Sequence, residues 1–129
     1  MKRILILAIV AMFCATMQAQ EKTVANQVKQ EVVAEDYKII KDEVVDGIRY
    51  VVAVPSAIVC SKQIDIQIQD GIIRSVVYTR GCDGNAKGIG ALIKGMSVEE
   101  AIRRLEGITC GKRTTSCPDQ LAKILKSLD

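Results

Sequence analysis

The chain of 129 residues has no histidine and no tryptophan, one phenylalanine, three tyrosines and two prolines. Without histidine there is no imidazole base and no mixed cysteine and histidine ligand set of the zinc-finger kind. Site chemistry near neutral pH therefore points to cysteine thiolates rather than to histidine. With so few aromatics, a core must be built from Ile, Val, Leu and Ala, and such a core gains from a metal or disulfide staple. An excess of charge of one sign is also missing. Lysines and arginines number 18 against 15 acids, and removing Lys2 and Arg3 with a leader brings the basic count to 16. A chain that close to neutrality has no electrostatic pull on nucleic acid.

No apolar run is long enough for a spanning helix, which needs roughly 18 to 20 residues. The run from Ile4 to Phe13 follows Lys2 and Arg3 and precedes Ala15-Thr16-Met17-Gln18-Ala19, the pattern of a secretory signal peptide cleaved near Ala19. Phe13 before Cys14 argues against a lipoprotein site, so Cys14 leaves with the leader. The expectation is an exported chain, periplasmic or secreted, with no membrane anchor after cleavage. Residues 20–36 are polar, with only Val24, Val28, Val32 and Val33 to bury, and read as a linker. Residues 37–129 then form the domain.

Within the domain, Ile48, Tyr50, Val52 and Val54 alternate after Asp46-Gly47, and Ile64, Ile66 and Ile68 alternate before Asp70-Gly71 and the run Ile72 to Tyr78. Asp-Gly between alternating apolar runs predicts hairpins, hence three or four antiparallel strands with one buried face. Helical spacing follows. Ala86, Ile89, Leu92 and Ile93 share one face; Ser97-Val98-Glu99-Glu100 is a capping box ahead of Ala101, Ile102 and Leu105; Pro118 opens a last helix with Leu121, Ile124, Leu125 and Leu128 as its stripe. Strands first and helices after predict an α+β fold, an antiparallel sheet followed by three helices packed on one face.

Cys60, Cys82, Cys110 and Cys117 all fall at element ends, which can converge at one edge of a layered domain. Their separations, with 21, 27 and 6 residues between them, contain no C-x-x-C pair, so spacing alone does not establish a zinc site. Cys117 stands at a helix start, where the helix dipole favours a thiolate and Ser116 or Thr115 can cap, although Asp119 in the first turn opposes that charge. Gly81, Gly84, Gly88 and Gly90 around Cys82 let backbone approach a bound group closely, yet the segment matches neither a phosphate loop nor a dinucleotide fingerprint. Asp83, Lys87, Lys112 and Arg113 are candidate neighbours of the thiolates or contacts for a partner.

The segments Gly81-Cys82-Asp83-Gly84-Asn85, Gly95-Met96-Ser97-Val98-Glu99-Glu100, Gly107-Ile108-Thr109-Cys110-Gly111 and Thr115-Ser116-Cys117-Pro118-Asp119-Gln120-Leu121-Ala122 resemble a TSCPD domain over about residues 54–128. That family occurs as the C-terminal domain of adenosylcobalamin-dependent (class II) ribonucleotide reductases and as short stand-alone proteins labelled ribonucleoside-diphosphate reductases. The resemblance implies a cysteine-rich accessory module, linked to deoxyribonucleotide synthesis, with a reductase-like protein as partner. It does not imply a complete reductase, because so short a chain cannot enclose a radical barrel. Cys60, Cys82 and Cys117 also fall where iron-sulfur cluster assembly scaffolds place their cysteines. In those scaffolds an acidic residue stands where Lys62 is and a histidine where Ser116 is, so Cys110 becomes the candidate fourth ligand.

Three readings follow for the cysteines. Cys60, Cys82, Cys110 and Cys117 together form a metal site, for zinc or for an iron-sulfur cluster. In an exported chain the same four can instead pair as two disulfides that staple a binding domain. Alternatively Cys117 acts as a redox thiol with Cys110 as its resolving partner.

Overall fold

A computed structural model describes residues 36–129. The leader expected at 1–19 and, apart from Asp36, the linker expected at 20–36 lie outside the described residues. Four strands, β1 (Tyr37–Val45), β2 (Ile48–Pro55), β3 (Gln63–Gln69) and β4 (Ile72–Thr79), are followed by helices α1 (Asp83–Ile93), α2 (Val98–Leu105) and α3 (Cys117–Lys126). The sheet is an antiparallel meander in the order β1-β2-β3-β4. This is the α+β arrangement that the sequence predicts. The first hairpin belongs to the same sheet, since β2 pairs with β3 from Arg49 opposite Ile68 to Ala53 opposite Ile64.

Both Asp-Gly pairs form the expected turns. Asp46 and Gly47 have φ of 52° and 78°, Asp70 and Gly71 have 52° and 71°, so both central residues are left-handed, as a two-residue type I′ hairpin requires. Two register shifts adjust the alternation. On β4, Ile68 pairs with Ile73 while Gln67 pairs with Ser75, so Arg74 is the extra residue and Ile73 and Val76 both face inward. On β1 the extra residue is Ile40, which the shift leaves 53% exposed although the sequence reads it as apolar.

The core lies between the inner sheet face and the helices: Val51, Ala53, Ile64, Ile66, Ile68, Ile73 and Val76 from strands, Ile93, Ala101, Leu105, Leu121, Ala122, Ile124 and Leu125 from helices. It is aliphatic throughout. Helix α3 carries most of the helical share and packs on α2 and over β2 and β1. Helix α2 starts as the capping box predicts at its first member, with Ser97 Oγ accepting from the Glu100 N–H at 3.2 Å. Residues 95–98 also lie along the start of β4, where Ile73 N–H donates to Met96 at 2.9 Å and Gly95 N–H to Ile73 at 2.8 Å. That contact covers part of an otherwise open edge.

Helix α1 keeps the expected face except at Leu92. Ile93 is buried and Ala86 and Ile89 are half-buried, with Ile89 against the core, whereas Leu92 is 77% exposed. The helix is also held to β4 by close approach. A Cβ on Gly90 would stand 2.6 Å from the Val76 carbonyl oxygen, so this glycine serves the sheet rather than a bound group. Gly90→Ala is therefore expected to cost about 1–3 kcal/mol as the helix is pushed off the strand. Urea unfolding should show a lower midpoint with an unchanged slope. An unchanged midpoint would remove close packing as the reason for this glycine.

Candidate functional site: a cysteine-lined cleft

Three connections and the start of α3 meet at one side of the sheet. The β2–β3 loop brings Cys60 and Ser61, the β4–α1 connection brings Arg80 and Cys82, the loop between α2 and α3 brings Cys110 and Arg113, and Cys117 begins α3. All four cysteines line a single cleft of about 420 Å³, with walls of Val59, Ile89, Leu92 and Ile108. The sequence expectation of convergence at one edge is met at the level of the cleft. Cys60, Cys82 and Cys110 are exposed and Cys117 is half-buried, all as free thiols. Convergence stops short of a preformed ligand cage: among the described residues, no three Cys, Asp or Glu side chains are gathered closely enough to hold a single metal ion.

The Thr-Ser-Cys-Pro-Asp segment shows why these residue types stand together. Ser116 is the N-cap of α3; its Oγ accepts from the Asp119 N–H at 3.3 Å and donates to the Ile108 carbonyl at 2.6 Å. Cys117 and Pro118 follow in the first turn, where proline sacrifices no hydrogen bond. Asp119, only 3% exposed, turns its carboxylate back to accept from the Gly107 N–H at 2.7 Å and from Thr115 Oγ1 at 2.5 Å, with Lys123 at 3.2 Å. Burial pushes this carboxyl up, but the bonds from Thr115, Gly107 and Lys123 outweigh it and hold Asp119 below its ordinary value. The acid that the sequence sets against a Cys117 thiolate is thus committed to pinning both ends of the loop that carries Cys110.

Each sulfur has its own surroundings. Ser61 Oγ, on a buried side chain, donates to Cys117 Sγ at 3.2 Å. Arg113 Nη1 donates to Cys60 Sγ at 3.2 Å. The hydrogen bond and charge of Cys60, then those of Cys110, hold the Arg113 guanidinium above its ordinary value. Cys82 is the N-cap of α1 and makes no side-chain cap bond. Tyr78 also lines the cleft; its hydroxyl is buried with no hydrogen-bond partner among the described residues. Burial, and secondarily the neighbouring Cys117, raise that phenol well above the usual tyrosine value.

Of the four candidate neighbours, Arg113 alone lines the cleft. Asp83 and Lys87 pair with each other at 2.7 Å on the exposed side of α1, and Lys112 lies outside the lining. Sequence reasoning missed Ser61, Tyr78 and Arg80. Ser61 carried a usable signal, being a small polar residue beside a cysteine at a strand entry. Tyr78 closes an apolar run and gave none. Among the described residues no aspartate or glutamate lines the cleft, whose walls include Arg80 and Arg113.

No curated protein and no solved structure matches the chain. The TSCPD domain profile matches residues 35–128, so it includes the first hairpin as well as the cysteine segments. The cleft and its four cysteines lie within the matched residues, and the chain belongs to the TSCPD domain family.

Proposed function

We propose that this TSCPD chain is an accessory module that carries a soft metal centre in the cleft, with Cys60, Cys82, Cys110 and Cys117 as ligands. The observation that supports this is the chemistry collected on one cleft: four thiols, two arginines and, among the described residues, no carboxylate in the lining and no partner for the buried Tyr78 hydroxyl beside Cys117. A centre bound by four thiolates is anionic and sulfur-rich. Arg80 and Arg113 would offset its charge, and Tyr78 would donate to a sulfur, as outer-shell groups do at metal sites.

Of the two expected cofactors, we favour an iron-sulfur cluster over zinc. A single zinc ion binds each sulfur at about 2.3 Å, which brings all four into mutual contact. A cluster holds its cysteines farther apart and fills more of a cleft of about 420 Å³. When bound, such a group would supply either a structural staple or electron transfer. The chain's own part is to hold four sulfurs at fixed element ends, cover them with Leu92 and Ile108, and balance their charge. The proposal includes the partner that the family resemblance implies, a reductase-like protein, and the export that the pattern of residues 1–19 implies.

The test is anaerobic purification of the full chain, with iron, zinc and acid-labile sulfide measured per chain and thiols counted in denaturant before and after metal release. Stoichiometric metal, with Cys60, Cys82, Cys110 and Cys117 free once it is removed, is the expected result. No metal and no free thiols among these four would overturn the reading and leave a disulfide-stapled domain.

A further inference from the structure

Arg113 links the segments of two of the four cysteines. Arg113 closes a turn on Cys110, its backbone N–H donating to the Cys110 carbonyl at 3.1 Å, and its side chain reaches across the cleft to Cys60 Sγ at 3.2 Å. Cys110 lines the same cleft as Cys60 and Arg113. Both cysteines are exposed, and Cys110 sits in a loop whose residues 106–114 are exposed throughout. Cys117 differs on each count: it is half-buried, bonded by Ser61 and fixed in the first turn of α3.

From this geometry we infer that Cys60 and Cys110 are a reversible disulfide pair, exchanging with low-molecular-weight disulfides such as oxidised glutathione, with Arg113 as the positioning residue. The pairing differs from the one the Cys-x6-Cys spacing suggests, between Cys110 and Cys117. It draws on two of the four sulfurs proposed as metal ligands and so describes the chain while no metal is bound.

The exchange runs in two steps. Cys60 Sγ, as thiolate, attacks one sulfur of the small disulfide; a sulfur–sulfur bond forms to Cys60 and the other half leaves as a thiolate that takes up a proton. Cys110, having lost its proton to solvent, then attacks Cys60 Sγ and displaces the second small thiol. Both cysteines are oxidised by two electrons in total, and one small disulfide is reduced to two thiols. Arg113, held in one turn with Cys110 and bonded through its side chain to Cys60 Sγ, keeps the two cysteines on the same side of the cleft. The exposed loop supplies the movement that brings Cys110 into bonding distance.

The test uses the full chain, reduced, both as purified and after metal stripping with a chelator. It is incubated with oxidised glutathione, quenched by alkylation and mapped by peptide mass spectrometry. The expected product joins the peptides of Cys60 and Cys110, leaving Cys82 and Cys117 alkylated. Cys110→Ser should stop at one glutathione on Cys60. Arg113→Gln should slow adduct formation at Cys60 by roughly tenfold, the effect of losing a charge-assisted hydrogen bond, while Arg113→Lys recovers most of the rate and neither change moves the unfolding midpoint. A Cys110–Cys117 or Cys60–Cys82 crosslink, no crosslink in the stripped chain, or a wild-type rate for Arg113→Gln would overturn the inference. A Cys60–Cys110 bond in a chain that never held metal would sink the metal centre and leave this pair standing.

Discussion

Asp119→Ala should lower the stability of the domain by about 3–5 kcal/mol, most of what a small domain has to lose. The carboxylate is buried and accepts from the Gly107 N–H and the Thr115 hydroxyl, with the Lys123 ammonium, which Asp36 also holds, as a third partner. Truncation leaves the first two with unmet hydrogen bonds in a site too closed for easy hydration. It also removes the tie between the end of α2 and the start of α3. A loss of this size shifts the thermal midpoint by more than about 10 °C in a domain of under 100 residues, which calorimetry would detect at once. A shift under about 3 °C would mean that water replaces the carboxylate and that the aspartate of the motif is not its structural pin.

The same carboxyl gives the pH dependence a definite sign. Its folded-state value lies below that of the unfolded chain, because Thr115, Gly107 and Lys123 together outweigh the opposing effect of burial. The stability it contributes is therefore complete above about pH 4, the unfolded aspartate value, and is lost as pH falls through the lower folded value. Asp119→Asn should flatten the acid limb of the stability curve below about pH 4 while the limb above it keeps its slope. An acid limb identical in the two proteins would assign acid unfolding to other carboxylates.

How much of this was legible in the sequence depends on the range of the interactions. The hairpins were readable because Asp46-Gly47 and Asp70-Gly71 meet a strictly local demand, left-handed backbone at two successive positions. The stripe of α3 and the cap of α2 were readable for the same reason, since Leu121, Ile124 and Leu125, or Ser97 and Glu100, lie within one or two turns of each other. Helix α1 was read correctly at Ala86, Ile89 and Ile93 but not at Leu92, and its close approach to β4 depends on the absence of a side chain at Gly90, which an apolar-periodicity argument cannot count. The convergence of Cys60, Cys82, Cys110 and Cys117 on one cleft could be anticipated from their positions at element ends. Their individual partners could not: Arg113 meets Cys60 across 53 positions and Ser61 meets Cys117 across 56, and no local pattern encodes such pairs.

A contact of still longer range, between Gln120 and Asp36, carries the second large effect. Gln120 is fully buried and uses every polar hydrogen-bonding direction its amide needs: Oε1 accepts from the Ser56 N–H at 2.8 Å, and Nε2 donates to Asp36 at 2.9 Å and to Thr115 Oγ1 at 3.1 Å. It thereby joins the chain just before β1, the exit of β2 and the segment leading into α3. Lys123, also bonded to Asp36 at 2.5 Å, reinforces the first of these ties. Gln120→Leu keeps the volume and removes all three bonds, so the cost is desolvation without compensation, about 2–4 kcal/mol. Because β1 is an edge strand whose N-terminal end is tied to α3 chiefly through Asp36, its amides should lose protection against hydrogen exchange before those of β3. Gln120→Glu distinguishes polarity from fit: it retains the acceptor for Ser56 but faces a carboxylate to both Asp36 and the Thr115–Asp119 pair, so it should be worse than Leu at neutral pH and improve on mild acidification. If Gln120→Leu instead unfolds at the wild-type midpoint with β1 still protected, the aliphatic core alone holds the first hairpin and the buried amide is incidental to it.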